Sequence, residues 1–217
     1  MKRRDFSLAV PAMALASAGL LPAGASAQAF SPVEGRDFRR LDTTVGVEAP
    51  AGKIEVVEFF RYSCPHCNGF EPTLDAWTKR LPKDVVLRRI PIAFGDVDVP
   101  QQRLYYALEA MGLLPKLHAK VFHAMHVEKL NLLKGDAIIE WVAQQGVDKA
   151  KFQDQFNSFS VNSKATKATQ MQNGYGVEGV PALGLAGRFY TDGSIARSMD
   201  RALQVVDALV VEVRNKR

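Results

Sequence analysis

Apolar positions along this chain change their spacing twice. Ile54 to Phe60 reads Ile-Glu-Val-Val-Glu-Phe-Phe, a short β-branched and aromatic run bounded upstream by Pro50-Ala51-Gly52, and it predicts a buried strand. From Cys64 the spacing becomes helical through Phe70, Leu74, Trp77 and Leu81, and Pro82 follows as a stop. Val85 to Ile92 predicts a second strand. A strand, helix, strand unit of this length implies parallel strands joined by a right-handed crossover.

Helix then follows helix over about 99–160. Leu104, Leu108 and Met111 share one face, and Pro115 breaks to a second segment. Asp136 is placed to cap a helix bearing Ile139, Trp141 and Val142, with Gly146 at its end. Asp148 is placed to cap the next, whose Phe152 and Phe156 lie one turn apart. Ser163 to Met171 predicts another helix. Ala182 to Leu185 and Arg188 to Tyr190 predict a hairpin turning at Ala186-Gly187. Ser198 is placed to cap a final helix with Met199, Leu203, Val206, Val210 and Val213 on one face.

The first residues do not belong to this pattern. Lys2, Arg3 and Arg4 precede an apolar stretch from Leu8 to Leu21 that ends in Ala25-Ser26-Ala27, which predicts a secretory signal peptide over residues 1–27. Arg3-Arg4-Asp5-Phe6 is similar to a twin-arginine export signal, but Ser7 departs from it, and the general secretory route is the favoured expectation. The remainder, 28–217, is read as one α/β domain carrying a helical insertion. At 217 residues and 47% hydrophobic composition the chain can bury a full core. Its 28 basic and 23 acidic residues are interspersed, so no basic stripe points to nucleic acid.

The cysteine count narrows the chemistry most. An exported protein commonly uses many cysteines as staples, yet this chain has two, and both lie in Cys64-Pro65-His66-Cys67. At a helix start they stand one turn apart, about 5–6 Å between β-carbons, so the pair can close and reopen a disulfide. Unpaired N–H groups and the positive end of the helix dipole favour a thiolate on Cys64. His66 inside the loop adds to this, and Pro65 in the first turn sacrifices no needed hydrogen bond. A stabilised Cys64 thiolate is a good leaving group, and stabilising the reduced form makes the disulfide oxidising. Zinc or copper carriage by Cys64 and Cys67 is the alternative from another class, and the further ligand candidates are His118, His123 and His126, distant in sequence on a predicted helix. His123 and His126, with Met125 between them, are read first as helix-surface residues and not as copper ligands.

With these residues in view, the sequence resembles the DsbA family of periplasmic dithiol oxidases. Cys64-Pro65-His66-Cys67 matches the family motif, Glu58-Phe59-Phe60 ends the strand before it, and Phe70-Glu71 follows it. Gly179-Val180-Pro181-Ala182 resembles the family's cis-proline loop. The resemblance covers nearly the whole chain after residue 27. It implies a thioredoxin-like α/β fold with an inserted helical subdomain, and a cis Val180-Pro181 bond facing Cys64 that offers a backbone edge to extended substrates. It implies that Glu58 lies beneath the disulfide and helps move the proton of Cys67, while Glu71 is read as a solvent-facing helix charge. It further implies a monomer with no cofactor beyond the Cys64–Cys67 disulfide. The partners expected are unfolded exported proteins with free thiols and a membrane quinone-linked reoxidase of the DsbB type. An isomerase or reductase is the runner-up; isomerases of this compartment carry a separate dimerisation domain, for which the stretch before Ile54 leaves no room.

Overall fold

The computed structural model describes residues 30–216. The expected signal peptide lies outside them. Strand β1 (Arg39–Arg40) is followed by β2 (Ile54–Phe60), helix α1 (Pro65–Thr78) and β3 (Val85–Pro91). A 3-10 turn (Asp96–Asp98) leads into α2 (Val99–Ala110), α3 (Leu114–His126), α4 (Gly135–Gln144), α5 (Lys149–Phe156) and α6 (Phe159–Tyr175). The chain then returns to the sheet as β4 (Ala182–Leu185) and β5 (Phe189–Asp192), and α7 (Met199–Asn215) closes it. The sheet order is β1-β5-β4-β2-β3, with β2 and β3 parallel and the other neighbours antiparallel.

All seven residues of β2 are buried, as a central strand covered on both faces must be. Side chains alternate between the faces. Ile54 and Val56 pack with Leu74 and Trp77 of α1 and Leu203 and Leu209 of α7. Val57 and Phe59 pack with Leu104, Val161 and Tyr175 of the inserted helices. Glu58 shares the face of Ile54 and Val56, so its carboxyl lies inside the molecule on the side of α1.

The hairpin turns at Ala186-Gly187, where both residues have positive φ (51° and 66°), the combination a tight hairpin with right-handed twist requires. A β-carbon on Gly187 would stand 1.9 Å from the Val45 carbonyl oxygen. Asp148 and Ser198 cap α5 and α7 through their side chains, as expected from sequence.

Other expectations need correction. Helix α1 stops at Thr78, and Leu81 keeps its apolar contact from a turn. Lys134, with extended backbone, precedes α4, while Asp136 sits in the first turn, where its charge complements the helix dipole without capping. The second hairpin strand runs Phe189–Asp192 and not Arg188 to Tyr190, and β1 is too short to show a period. Helix α6 reaches beyond the expected Ser163 to Met171 at both ends, from the Ser158 side-chain cap to a left-handed Gly176, and its buried positions include the small residues Ala165 and Ala168, which gave the sequence pattern little signal.

Gly184 lets α6 approach the sheet: an added β-carbon would lie 2.3 Å from Tyr175 Cε1 and 2.6 Å from Val57 Cγ2. Gly184→Ala should cost about 1–3 kcal/mol by overpacking. Urea titration checks this, and an unchanged midpoint would contradict the packing described.

Candidate active site

Cys64 occupies the N-cap position of α1 with extended backbone (φ −84°, ψ 118°), and Pro65 takes the first helical position. No side-chain acceptor caps the helix, so the first-turn N–H groups are left for the Cys64 sulfur. Both cysteines are free and buried, Cys67 completely, while Pro65 and His66 are exposed.

The two sulfurs differ sharply in proton affinity. The Cys64 pKa falls from an ordinary 9.0 to about 5, chiefly because the Cys67 thiol donates to its sulfur. Backbone N–H groups of Cys67 and His66 and the His66 charge act in the same direction, against burial. Burial and the neighbouring Cys64 charge push Cys67 far the other way. Residue for residue the motif is the one singled out from sequence. The largest stabiliser of the thiolate, however, is the second cysteine and not His66.

The Val180-Pro181 bond is cis, and the Val180 carbonyl lies 3.4 Å from Cys64 Sγ, so this backbone edge stands against the reactive sulfur. Beside it a cleft of about 340 Å³ is lined by His66, Val180, Pro181, Asp192, Gly193 and Met199.

The inserted helices hold the three residues leading into Cys64. Arg61 pairs with buried Asp98 at 2.9 Å, and the Ser63 N–H donates to Gln101 Oε1 at 2.7 Å. Tyr62, fully buried, bonds His118 Nδ1 through its hydroxyl (2.8 Å), and its carbonyl accepts from His126 Nε2 (2.7 Å). His118 and His126 are therefore half-buried clamps, so His126 is not the surface residue expected, while His123 is exposed as expected.

Beneath the cysteines lies a cluster of charge. Glu58 is fully buried, and Arg89 Nε stands 3.0 Å from its Oε2 without aligning an N–H on it, so neither carboxyl oxygen has a hydrogen-bond partner. Burial first, then the Glu71 charge, raises the Glu58 pKa to about 8 in spite of Arg89. That shift favours the neutral carboxyl, and a charge on Glu58 would in turn raise the Cys67 thiol. Glu71 is not the solvent-facing charge the sequence suggested. Its side chain is 16% exposed, accepts from Arg89 Nη2 at 3.0 Å and lies 3.4 Å from His118 Nε2. Burial pushes Glu71 upward, but His118 and Arg89 outweigh it and hold its carboxyl below the usual range.

A central sheet interrupted by a helical insertion, with a cysteine pair at a helix start opposite a cis-proline, defines a thioredoxin-fold dithiol protein. A family model described as the DSBA-like thioredoxin domain matches residues 55–204. The Thiol:disulfide interchange protein DsbA of Burkholderia cepacia is 39% identical over 203 residues, covering 94% of this chain and 96% of the relative. That of Bordetella parapertussis is 40% identical over 215 residues, covering 99% and 100%. The crystal structure of Pseudomonas aeruginosa DsbA superposes with a TM-score of 0.79 at 36% identity, over 84% of this chain and 94% of that one. The oxidoreductase DsbA from Xylella fastidiosa gives 0.79 at 32%, over 85% and 98%. The chain belongs to the DSBA-like thioredoxin domain family, and it is a thiol:disulfide oxidoreductase.

Iodoacetamide reads the asymmetry of the pair directly. An ordinary thiol loses about tenfold in thiolate for each pH unit below its pKa, whereas Cys64 should hold its alkylation rate down to about pH 5. Cys67 should stay unmodified throughout that range. Rates falling already from pH 9, or Cys67 labelling first, would contradict the assignment.

Proposed function

We propose that this protein oxidises pairs of cysteines in newly exported proteins in the periplasm, acting as a monomer and donating the Cys64–Cys67 disulfide. The carrying observation is the low proton affinity of Cys64 beside the high one of Cys67. A reduced form that keeps one sulfur as a stabilised thiolate is low in free energy, so the disulfide readily accepts electrons.

A substrate thiolate attacks Cys64 Sγ; the S–S bond breaks, its electron pair goes to Cys67, and Cys67 takes a proton from the neutral Glu58 carboxyl. A second substrate thiolate then attacks the mixed disulfide, forms the substrate disulfide and expels Cys64 as thiolate. Two electrons pass to the protein. One substrate proton replaces that lost by Glu58, and the other leaves to solvent. The redox group is the cysteine pair itself, so this chemistry requires no further cofactor. The Val180 backbone and the adjoining cleft suit an extended peptide brought against Cys64. Regeneration requires a partner disulfide in contact with an electron acceptor, for which a membrane quinone-linked protein of the DsbB type is the fitting class. Residues 1–27 supply the export signal, through the general secretory route.

Equilibration of the protein lacking residues 1–27 with glutathione tests the direction of transfer. The expected potential lies well above that of thioredoxin, about −270 mV. A value near thioredoxin's would make the protein a reductase. Cys64→Ser should abolish transfer, while Cys67→Ser should accumulate mixed disulfides for want of the resolving thiol. Equal behaviour of the two variants would overturn the roles of nucleophile and resolving thiol.

A further inference from the structure

The turn that delivers Cys64 is held from outside the sheet. Arg61, Tyr62, Ser63 and Cys64 form a turn closed by a hydrogen bond from the Cys64 N–H to the Arg61 carbonyl at 3.0 Å. Asp98 and Gln101, three positions apart at the start of α2, grip it at two points. Arg61 Nη1 stands 2.9 Å from Asp98 Oδ2, and the Ser63 N–H donates to Gln101 Oε1 at 2.7 Å. Both grips run against local preference. Asp98 is the N-cap of α2, where an aspartate ordinarily accepts an N–H of its own helix, yet it makes no such bond. Its carboxylate turns instead to Arg61 and to the Phe94 N–H at 3.1 Å. Gln101 is 1% exposed, a polar side chain placed inside the molecule beside the turn. Conflicts of this kind are expected where a position is held for function.

We propose that Asp98 and Gln101 are positioning residues that set the oxidising power of the Cys64–Cys67 pair by fixing the Arg61–Cys64 turn. The inference rests on the dithiol reading of the pair and adds to it the part played by the insertion. The two redox states depend on the turn unequally. Cys67 lies within α1 and is completely buried, so the helix sets its place in both. In the oxidised protein the S–S bond itself holds Cys64 against Cys67. In the reduced protein that bond is gone, and the Cys64 sulfur meets the first-turn N–H groups of α1 only where the turn carries it to them. A slack turn therefore weakens the thiolate more than the disulfide, and the pair becomes less oxidising. Charge alone predicts the opposite for Asp98, because removing a carboxylate and leaving Arg61 uncompensated favours a thiolate nearby.

The test compares Asp98→Asn and Gln101→Leu with the unsubstituted protein, all lacking residues 1–27. Asparagine keeps the shape of Asp98 and weakens its hold on Arg61. Leucine removes the acceptor of the Ser63 N–H without changing any charge. In each variant the equilibrium with glutathione should move about tenfold towards the oxidised protein, which is about 30 mV for two electrons. The pH midpoint of Cys64 alkylation should rise from about 5 in both. Urea titration should show the reduced form losing more stability than the oxidised. Glu55→Gln is the control, since Glu55 is 2% exposed and binds Arg88 and the Glu48 N–H rather than the turn. It should destabilise both redox forms alike and leave the potential and the alkylation midpoint in place. An unchanged potential in either folded variant, a midpoint that falls in Asp98→Asn, or an equal shift in Glu55→Gln would overturn the proposal. Should Asp98→Asn fail to fold, Gln101→Leu decides alone. An unsubstituted protein without any dithiol–disulfide equilibrium with glutathione would instead remove the dithiol reading beneath it.

Discussion

The placement of two cysteines one turn apart at the open N-terminus of α1, Cys64 as its N-cap and Cys67 buried behind it, is the constraint on which the rest of this structure depends. It sets two identical side chains at opposite ends of the thiol range, one ionised from about pH 5 upward and the other held protonated by burial and by its neighbour's charge. The helix contributes direction, because its first-turn N–H groups point where the sulfur charge resides. Closing the disulfide removes the charge and all these stabilising contacts together. The oxidised state is thereby left poised to accept electrons.

Holding that geometry falls to the insertion as much as to the sheet. The parallel pair β2–β3 brings Glu58 opposite Arg89 and ends at the cysteine turn. Helices α2 and α3 then fasten Arg61, Tyr62 and Ser63 through Asp98, His118, His126 and Gln101. The aromatic packing of Phe60, Tyr62 and Phe122 around His118 keeps water from the Tyr62 hydroxyl, and burial keeps that phenol protonated. The charged cluster under the cysteines is costly in isolation. Arg89 makes it tolerable by standing between two carboxyl groups, of which burial favours the neutral form of Glu58.

Local signals in the sequence were strong where local physics decides the outcome. Strand β2, the Ala186-Gly187 turn, the caps at Asp148 and Ser198, and the placement of Cys64 at a helix start follow from short-range patterns. Glu71 and His118 did not, because their burial depends on α3 packing across α1, a contact without a local signature. One clue was present: Glu55 and Glu58 in one predicted strand face Arg88 and Arg89 in the next, and parallel pairing turns those charges into ion pairs. The dominance of the Cys67 thiol over His66 was hidden for another reason. It depends on the fold burying Cys67 behind Cys64 while His66 stays exposed, which the motif alone does not show.

Oxidised and reduced protein, denatured side by side over a range of pH, test the central claim most directly. The Cys64 pKa is near 5 in the folded reduced state and near 9.0 when unfolded, so its ionisation stabilises only the reduced fold. That contribution is complete above about pH 9 and is lost progressively as pH falls through about 5. Cys67 stays protonated in both states below pH 9 and leaves this window undisturbed. The reduced form should be more stable than the oxidised at pH 7, with the gap narrowing steadily towards pH 5. Equal midpoints at pH 7, or a gap that does not change between pH 7 and 5, would contradict the claim.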